Sequence, residues 1–130
     1  GCGHDFSLGI LADLSGNDEY RSPSLSLGAG NDNGIGIFLD ADGTDSYRAT
    51  AANTFGWASN SDFGAGNPRN DALCVGLFLD GGGTDLYERP DLAGVAIGNE
   101  ATWLMDPADP AKTPAERGAG ADWAGVPAGL

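Results

Sequence analysis

The stretch GCGHDFSLGILADLSGNDEY, Gly1 to Tyr20, aligns without a gap on GAGNDNGIGIFLDADGTDSY, Gly28 to Tyr47. The shift between these copies is 27 residues, and LCVGLFLDGGGTDLY, Leu73 to Tyr87, repeats the second half of the unit. A fixed period of roughly 20–50 residues is typical of architectures whose units stack because no single unit can bury its apolar face. The sequence therefore predicts an all-β fold, a short parallel β-solenoid (β-helix) of ~27-residue coils.

The repeats divide the chain into two parts. Residues 1–90 are predicted to hold the solenoid repeats, with units starting at residues 1, 28 and 64 and four extra residues in the first loop of the third unit. After residue 90 the pattern decays, so residues 91–130 are predicted to form a degenerate terminal coil and cap. Three features of this part are a short strand at Gly94–Gly98, an opening turn at Gly118–Asp122, and Trp103 and Trp123 as cap residues.

Each unit contains six residues in which aliphatic side chains occupy every second position, the pattern of a short strand. The aliphatic series is expected to face the interior; its members are Leu8, Ile10, Ala12, Ile35, Ile37, Leu39, Val75, Leu77 and Leu79. The other series then leaves Leu11, Phe38 and Phe78 on the outer face. Because a row of large exposed apolar groups normally has a cover, these three residues are predicted to bind a partner or the chain after Pro90.

Every strand ends in a Gly-containing turn with an aspartate at each end. Stacking at ~4.8 Å per layer would place these carboxylates in two rows. The first row is Asp13, Asp40 and Asp80, and the second is Asp18, Asp45 and Asp85. Like charges at that distance repel by about 1 kcal/mol even in bulk water, so the rows need compensation.

Two kinds of compensation are open at this point. Ca²⁺, held by carboxylate and turn carbonyl oxygens, is one. The turn with Asp40, Asp42 and Asp45 is then the best site because it has three carboxylates, and the pairs Asp13/Asp18 and Asp80/Asp85 are weaker sites. The alternative is that each aspartate caps the amides of its own turn and pairs with an arginine after the tyrosine. The arginines in question are Arg21, Arg48 and Arg89.

The turns Gly16–Tyr20 (GNDEY) and Gly43–Tyr47 (GTDSY) resemble the Gly-Gly-x-Gly-x-Asp-x-U nonapeptide of the calcium-binding RTX β-roll. This resemblance implies Ca²⁺ at the turns. The whole unit is similar to the Gly-Asp-Asp-x-Tyr repeat proteins of bacterial extracytoplasmic sequences. That similarity implies a periplasmic, cell-surface or secreted location and carries no activity with it.

Composition narrows the set of partners. Nineteen acidic residues against six basic ones give a net charge of −13, which disfavours nucleic acid and anionic membrane surfaces. No apolar run approaches the ~20 residues of a membrane span. Cys2 and Cys74 fall two layers apart in the predicted stack, beyond the reach of a disulfide, and are therefore expected to be free thiols.

The sequence favours a non-catalytic module, either structural or protein-binding, whose partners are other protein subunits or the rest of a longer repeat chain. The alternative is a parallel β-helix that binds or cleaves polysaccharide, since two stacked aspartates would sit near the ~5–5.5 Å of a retaining pair. However, the same aspartates recur in every unit, which is the pattern of a structural device. His4 aligns with Asn31 and Asn67 and is interpreted as a turn residue, so no catalytic residue is predicted.

Overall fold

The computed structural model describes residues 1–89, 98–99, 102–104 and 116–123. This part of the chain is all-β, and no helix in it is long and apolar enough to cross a bilayer. The strands are β1 (Cys2–His4), β2 (Leu8–Asp13), β3 (Glu19–Ser22), β4 (Ala29–Asn31), β5 (Ile35–Asp40), β6 (Ser46–Ala49), β7 (Ala58–Ser59), β8 (Cys74–Gly81), β9 (Leu86–Glu88), β10 (Thr102–Leu104) and β11 (Glu116–Trp123). A 3-10 helix covers Pro68–Asp71.

The strands form three sheets. The first has the order β1-β4-β7, the central sheet β10-β11-β8-β5-β2, and the third β3-β6-β9. All pairings between these strands are parallel except the antiparallel β10–β11 pair. We call β1–β3 the first layer, β4–β6 the second and β7–β9 the third. The predicted all-β, parallel architecture is thus confirmed, and it is compatible with a β-solenoid.

The register of the layers follows the sequence alignment. Ile10 pairs with Ile37, which pairs with Leu77. Tyr20, Tyr47 and Tyr87 are partners in the same way across the third sheet. Identical or similar side chains therefore lie directly beside one another in successive layers, as the gap-free alignment predicts.

The two faces of the central strands are the reverse of the prediction. Phe38 and Phe78 are fully buried and pack with Tyr47 and Phe55 in the core, whereas Leu8 and Ile10 are 60% and 59% exposed. The aliphatic side chains of β5 and β8 share that outward side and are half-buried. The expected outer row is therefore wrong for both phenylalanines.

Glycine explains the reversal. Gly36 lies on the same side of β5 as Phe38 and faces the first sheet, where a Cβ atom would stand 1.8 Å from the carbonyl oxygen of Ala29. Gly76 meets the backbone of Trp57 in the same way. The inward side thus needs glycine where two sheets touch and phenylalanine where they diverge. Glycine adds no apolar side chain, so the inward-facing series of alternate residues is less apolar in the sequence than the outward-facing aliphatic series. For this reason the sequence pattern predicted the wrong face as the interior.

The core is built from aromatic rows that cross the layers. The rings of Phe38 and Phe78 stack at 4.9 Å between centroids, and those of Tyr20 and Tyr47 at 5.2 Å. Tyr47 also meets Phe78 edge to face at 5.2 Å. Contacts of this kind contribute about 0.5–1.5 kcal/mol each beyond the area they bury, so they bind one layer to the next.

The third layer opens earlier than predicted. Its first strand is β7, whose Ala58 pairs with Gly30, which places the start of the layer at Gly56 instead of Gly64. The residues between β7 and β8 form an inserted loop. Asn67 there caps the 3-10 helix by accepting the amide of Arg69 at 3.0 Å, so the Gly-Asn-Pro sequence that resembles an opening turn is a helix start.

The chain after the third layer contributes a further central strand. β11 pairs with β8 over its whole length, with Gly118 opposite Gly76 and Asp122 opposite Asp80. The predicted opening turn at Gly118–Asp122 is therefore part of a strand. The predicted strand at 94–98 falls outside the described residues except for its last residue, and the side chains of the two predicted cap tryptophans lie outside them as well.

Neither cysteine forms a disulfide, as predicted. Cys74 is buried at the start of β8, and Cys2 is half-buried in β1. Burial raises the pKa of the Cys2 thiol, which keeps it in the unreactive neutral form.

Candidate functional site

A row of aspartates runs across the C-terminal ends of the central strands. Asp13 lies beside Asp40, and Asp80 beside Asp122. These residues share the inward side of their strands with the core aromatic residues. Asp40 and Asp80 are fully buried, Asp122 is almost fully buried and Asp13 is half-buried.

Each aspartate of this first row accepts a hydrogen bond from a tyrosine hydroxyl. Tyr20 donates to Asp13 Oδ2 at 2.9 Å and Tyr47 donates to Asp40 Oδ2 at 3.1 Å. Tyr87 donates to Asp80 Oδ2, and its hydroxyl also lies 2.7 Å from Asp122 Oδ2. Burial, followed by the nearby carboxylates, raises the pKa of Tyr47 far above its ordinary value, so this tyrosine stays a neutral donor.

The second row of aspartates links each layer to the one before it. The Asp18 amide donates to Asp45 Oδ1 at 2.7 Å, and the Asp45 amide donates to Asp85 Oδ1 at 2.7 Å. Asn99 Oδ1 continues the series by accepting the Asp85 amide at 2.6 Å. These carboxylates therefore cap the turn of the preceding layer and not their own turn, which corrects that part of the capping prediction.

The two rows converge in two clusters of three carboxylates. One contains Asp40, Asp45 and Asp80, and the other contains Asp80, Asp85 and Asp122. Within each cluster one oxygen from every residue lies within 4.8 Å of the others, and Asp80 belongs to both. We call the five residues together the carboxylate column.

Four carboxylate oxygens in the column are buried without a hydrogen-bond partner. They are Asp40 Oδ1, Asp45 Oδ2, Asp80 Oδ1 and Asp85 Oδ2. A buried polar group left unsatisfied costs about 1–3 kcal/mol, and more when it is charged. Four such atoms in one place indicate that the column has a further partner.

The electrostatics of the column point the same way. Burial raises the pKa of Asp80 to about 7, although the hydrogen bond from Tyr87 opposes this rise. Burial also raises the pKa values of Asp45 and Asp85, and the neighbouring carboxylates add to this effect. Burial and repulsion between carboxylates therefore both disfavour the charged forms of these three residues.

The structure assembles only part of the predicted calcium site. Asp40 and Asp45 come together, but Asp42 is exposed in its turn and lies outside both clusters, and Asp80 takes its place. Asp13 and Asp18 are in neither cluster. The carboxylates that converge come from successive layers, whereas the sequence prediction took all three from one turn.

The arginines of the alternative prediction face elsewhere. Arg21 pairs with Glu19 at 2.8 Å, and Arg48 pairs with Glu88 at 2.9 Å and with Glu19 at 3.3 Å. Arg89 donates to the carbonyl oxygen of Ala52 at 2.7 Å. The ion pairs formed by Arg21 and Arg48 thus lie on the exposed outer side of the third sheet and do not reach the buried carboxylates.

Sequence reasoning missed Asp122 and Asn99. A signal for Asp122 exists, because each central strand has a glycine four residues before its aspartate. The pairs are Gly9 and Asp13, Gly36 and Asp40, Gly76 and Asp80, and Gly118 and Asp122. Asn99 lies where the repeat has decayed, so no spacing indicates it.

A third acidic group contains His4, Asp5 and Asp32 near the surface. Here Arg69 Nη2 lies 2.5 Å from Asp5 Oδ1, and His4 Nδ1 lies 3.0 Å from Asp5 Oδ2. The hydrogen bond from Arg69 lowers the pKa of Asp5. The arginine already supplies positive charge at this position, so the group is a structural ion-pair network, and His4 is the last residue of β1 instead of a turn residue.

The first layer exposes a surface of large apolar side chains. Leu11 is 39% exposed, although the equivalent Phe38 and Phe78 are fully buried. We call the exposed set the first-layer surface; it consists of Phe6, Leu8, Ile10, Leu11 and Leu14. β1, β2 and β3 are each the edge strand of their sheet, so this surface borders three open edges. Of the predicted partner-binding residues, only Leu11 is available to a partner.

Comparison with protein-family models, with curated proteins and with solved structures finds no match to this chain.

Proposed function

We propose that this chain is a non-catalytic β-solenoid module, structural or protein-binding, of an extracytoplasmic assembly. Its binding element is the first-layer surface, and the partner is a further coil of the same repeat. The observation that carries this proposal is the contrast between Leu11, which is 39% exposed, and Phe38, which is fully buried at the equivalent position. The turn resemblance to extracytoplasmic repeat proteins supports the location.

Backbone groups support a coil as the occupant. An edge strand presents unpaired N–H and C=O groups that template another strand, and three edges lie side by side in the first layer. The second-row aspartates add a specific contact. Asp45 and Asp85 each accept an amide of the preceding layer, and by the same rule Asp18 would accept an amide of the incoming coil.

The carboxylates favour a structural role over polysaccharide cleavage. A glycosidase presents its two carboxylates to a bound sugar, with water able to reach the bond. Asp40 and Asp80 are instead fully buried and bonded to tyrosine hydroxyls. No observation on the described residues favours the polysaccharide alternative.

An added coil tests the proposal. A copy of residues 28–55 placed before Gly1 keeps the layer register, and a scrambled version of the same 28 residues is the matched control. We expect the genuine copy to raise the free energy of unfolding by several kcal/mol, because it buries Leu11 and its neighbours at roughly 1.5–3 kcal/mol per side chain. Equal stability of the two chains in urea denaturation would contradict the proposal.

Sedimentation identifies the source of the coil. If the coil comes from another subunit, a second copy of the chain is the nearest substitute, and we expect concentration-dependent association that Leu11→Lys abolishes. Leu73→Lys, an exposed leucine in the inserted loop, is the control that leaves association unchanged. A monomer at all concentrations would exclude a second copy of this chain as the source of the coil, while association insensitive to Leu11→Lys would contradict the surface.

A further inference from the structure

We propose that the buried carboxylate column binds two Ca²⁺ ions, one between Asp40, Asp45 and Asp80 and the other between Asp80, Asp85 and Asp122, with Asp80 bridging the two. This site differs from the turn site that the sequence predicts, because Asp42 plays no part. It is independent of the first-layer surface and goes beyond the proposed function.

The unsatisfied oxygens are the first support. Asp40 and Asp80 are fully buried, and Asp45 and Asp85 are 4% and 8% exposed. Each uses one oxygen for a tyrosine or an amide and leaves the other without a hydrogen-bond partner. The used oxygens fix the orientation of each carboxylate, and the unused ones remain for a ligand that needs oxygen atoms.

Charge is the second support. The two clusters contain five carboxylates, and the ion pairs described above, formed by Arg21, Arg48 and Arg69, involve other acidic residues. Two divalent cations would supply four positive charges to five carboxylates, so that one negative charge would remain uncompensated. Without such ions, close carboxylates in a low-dielectric interior repel strongly.

The donor set selects the type of cation. All ligands are carboxylate oxygens, which suit hard cations, whereas Zn²⁺ and Cu²⁺ sites usually include histidine or cysteine. Ligand oxygens lie within 4.8 Å of one another, which is close enough for one ion with Ca–O bonds of about 2.4 Å to reach all three. Mg²⁺ usually keeps several of its waters and binds one or two carboxylates, whereas each cluster here brings three carboxylates together.

The position of the ions has a structural consequence. Asp40 and Asp45 belong to the second layer, Asp80 and Asp85 to the third, and Asp122 to β11. Each ion therefore joins strands that are otherwise held by sheet pairing and aromatic stacking. The ions would act as clamps between layers in the interior.

Calorimetric titration of the chelator-treated protein with CaCl₂ tests the proposal. We expect two ions per chain for the native protein, none for Asp80→Asn, and one each for Asp45→Asn and Asp122→Asn. Asp13→Asn is the matched control, since Asp13 also accepts a tyrosine hydroxyl but belongs to neither cluster, and it should keep both ions. Asparagine keeps the shape and an acceptor oxygen, and far-UV circular dichroism checks that each variant folds.

Terbium luminescence locates the ions independently. Tb³⁺ replaces Ca²⁺ in oxygen sites and is sensitised by a nearby tyrosine; Tyr47 and Tyr87 both donate to cluster carboxylates. We expect emission on tyrosine excitation that Ca²⁺ displaces and that Asp80→Asn abolishes. The proposal would be overturned if titration with CaCl₂ gave no heat of binding and the melting temperatures in Ca²⁺ and in EGTA were equal. A single ion in the native protein, or loss of binding in Asp42→Asn, would also overturn it.

Discussion

The first layer and the layers stacked behind it carry the same sequence motif, but equivalent side chains differ in their hydrogen bonds and in their burial. Asp13, in the first layer, turns its Oδ1 toward the amide of Leu14 at 2.8 Å, whereas the Oδ1 of Asp40 is buried without a partner. Leu11 and Tyr20 are partly open to solvent, and Phe38 and Tyr47 are fully buried. The surroundings of a unit thus decide what its aspartate does: it caps its own turn at the open end and keeps a buried, unpartnered oxygen inside the stack.

The largest predicted effect concerns the aromatic row. Phe38→Ala should reduce the free energy of unfolding by about 3–5 kcal/mol, because the ring is fully buried and its loss leaves a cavity. Leu11→Ala, the equivalent change in the first layer, should cost about 1 kcal/mol because that side chain is 39% exposed. Urea denaturation measures both. Equal costs would show that the two layers are buried alike in solution.

The second prediction concerns pH in the presence of a chelator. The groups around Asp80 are Tyr47, Tyr87, Asp40, Asp45, Asp85 and Asp122. Burial raises the pKa of Asp80 in the folded protein to about 7, from an ordinary value of 3.8. A raised carboxyl pKa means that the folded state prefers the proton, so this contribution to stability is complete below about pH 4 and is lost as the pH rises through about 7.

The expected result is a melting temperature in EGTA that falls as the pH rises from about 4 to about 7 and levels off above that. Asp80→Asn should flatten this profile, while Asp13→Asn should leave its shape unchanged. In excess Ca²⁺ the native protein should lose this decline, because ions bind the deprotonated carboxylates. A chelated native protein that becomes more stable with rising pH in this window would contradict the column as described.

The smallest predicted effect concerns the tyrosine hydroxyls. Tyr47→Phe should cost about 1–3 kcal/mol, because the buried Asp40 carboxylate loses its hydrogen-bond donor at 3.1 Å. Tyr20→Phe should cost about 0.5–1 kcal/mol, since Asp13 is half-buried and solvent can replace the hydroxyl. Chemical denaturation compares the two variants, and a larger cost for Tyr20→Phe would reverse the comparison between layers.

Much of the fold can be predicted from the sequence, because register depends on alignment alone. The gap-free match of two units is enough to pair Ile10 with Ile37 and Tyr20 with Tyr47, and both pairings occur. The direction of the side chains is harder to predict. Gly36 and Gly76 share a side with Phe38 and Phe78, and only the close approach of the first sheet shows why that side is the interior.

The candidate site, like the fold, can be predicted from the sequence only in part. The two rows of aspartates are visible in the sequence, but which members converge depends on how deeply each row is buried and how the layers pack. Asp42 carries the same carboxylate side chain as Asp40 and lies nearer to it in the chain than Asp80 does, yet it is exposed to solvent. Asp122 follows a glycine at the usual spacing, but its strand is separated from the last full unit by a stretch without recognisable period.

The most direct test of this account is the stabilisation of the protein by calcium, measured as the difference in unfolding free energy between millimolar Ca²⁺ and EGTA at about pH 7.5. A ligand at about 100 times its dissociation constant stabilises the native state by about 2.7 kcal/mol per site. We predict a stabilisation of this order or greater for the native protein and for Asp13→Asn, and none for Asp80→Asn. An equal response of Asp13→Asn and Asp80→Asn, or no response of the native protein, would contradict the claim that stacked layers create an interior cation site.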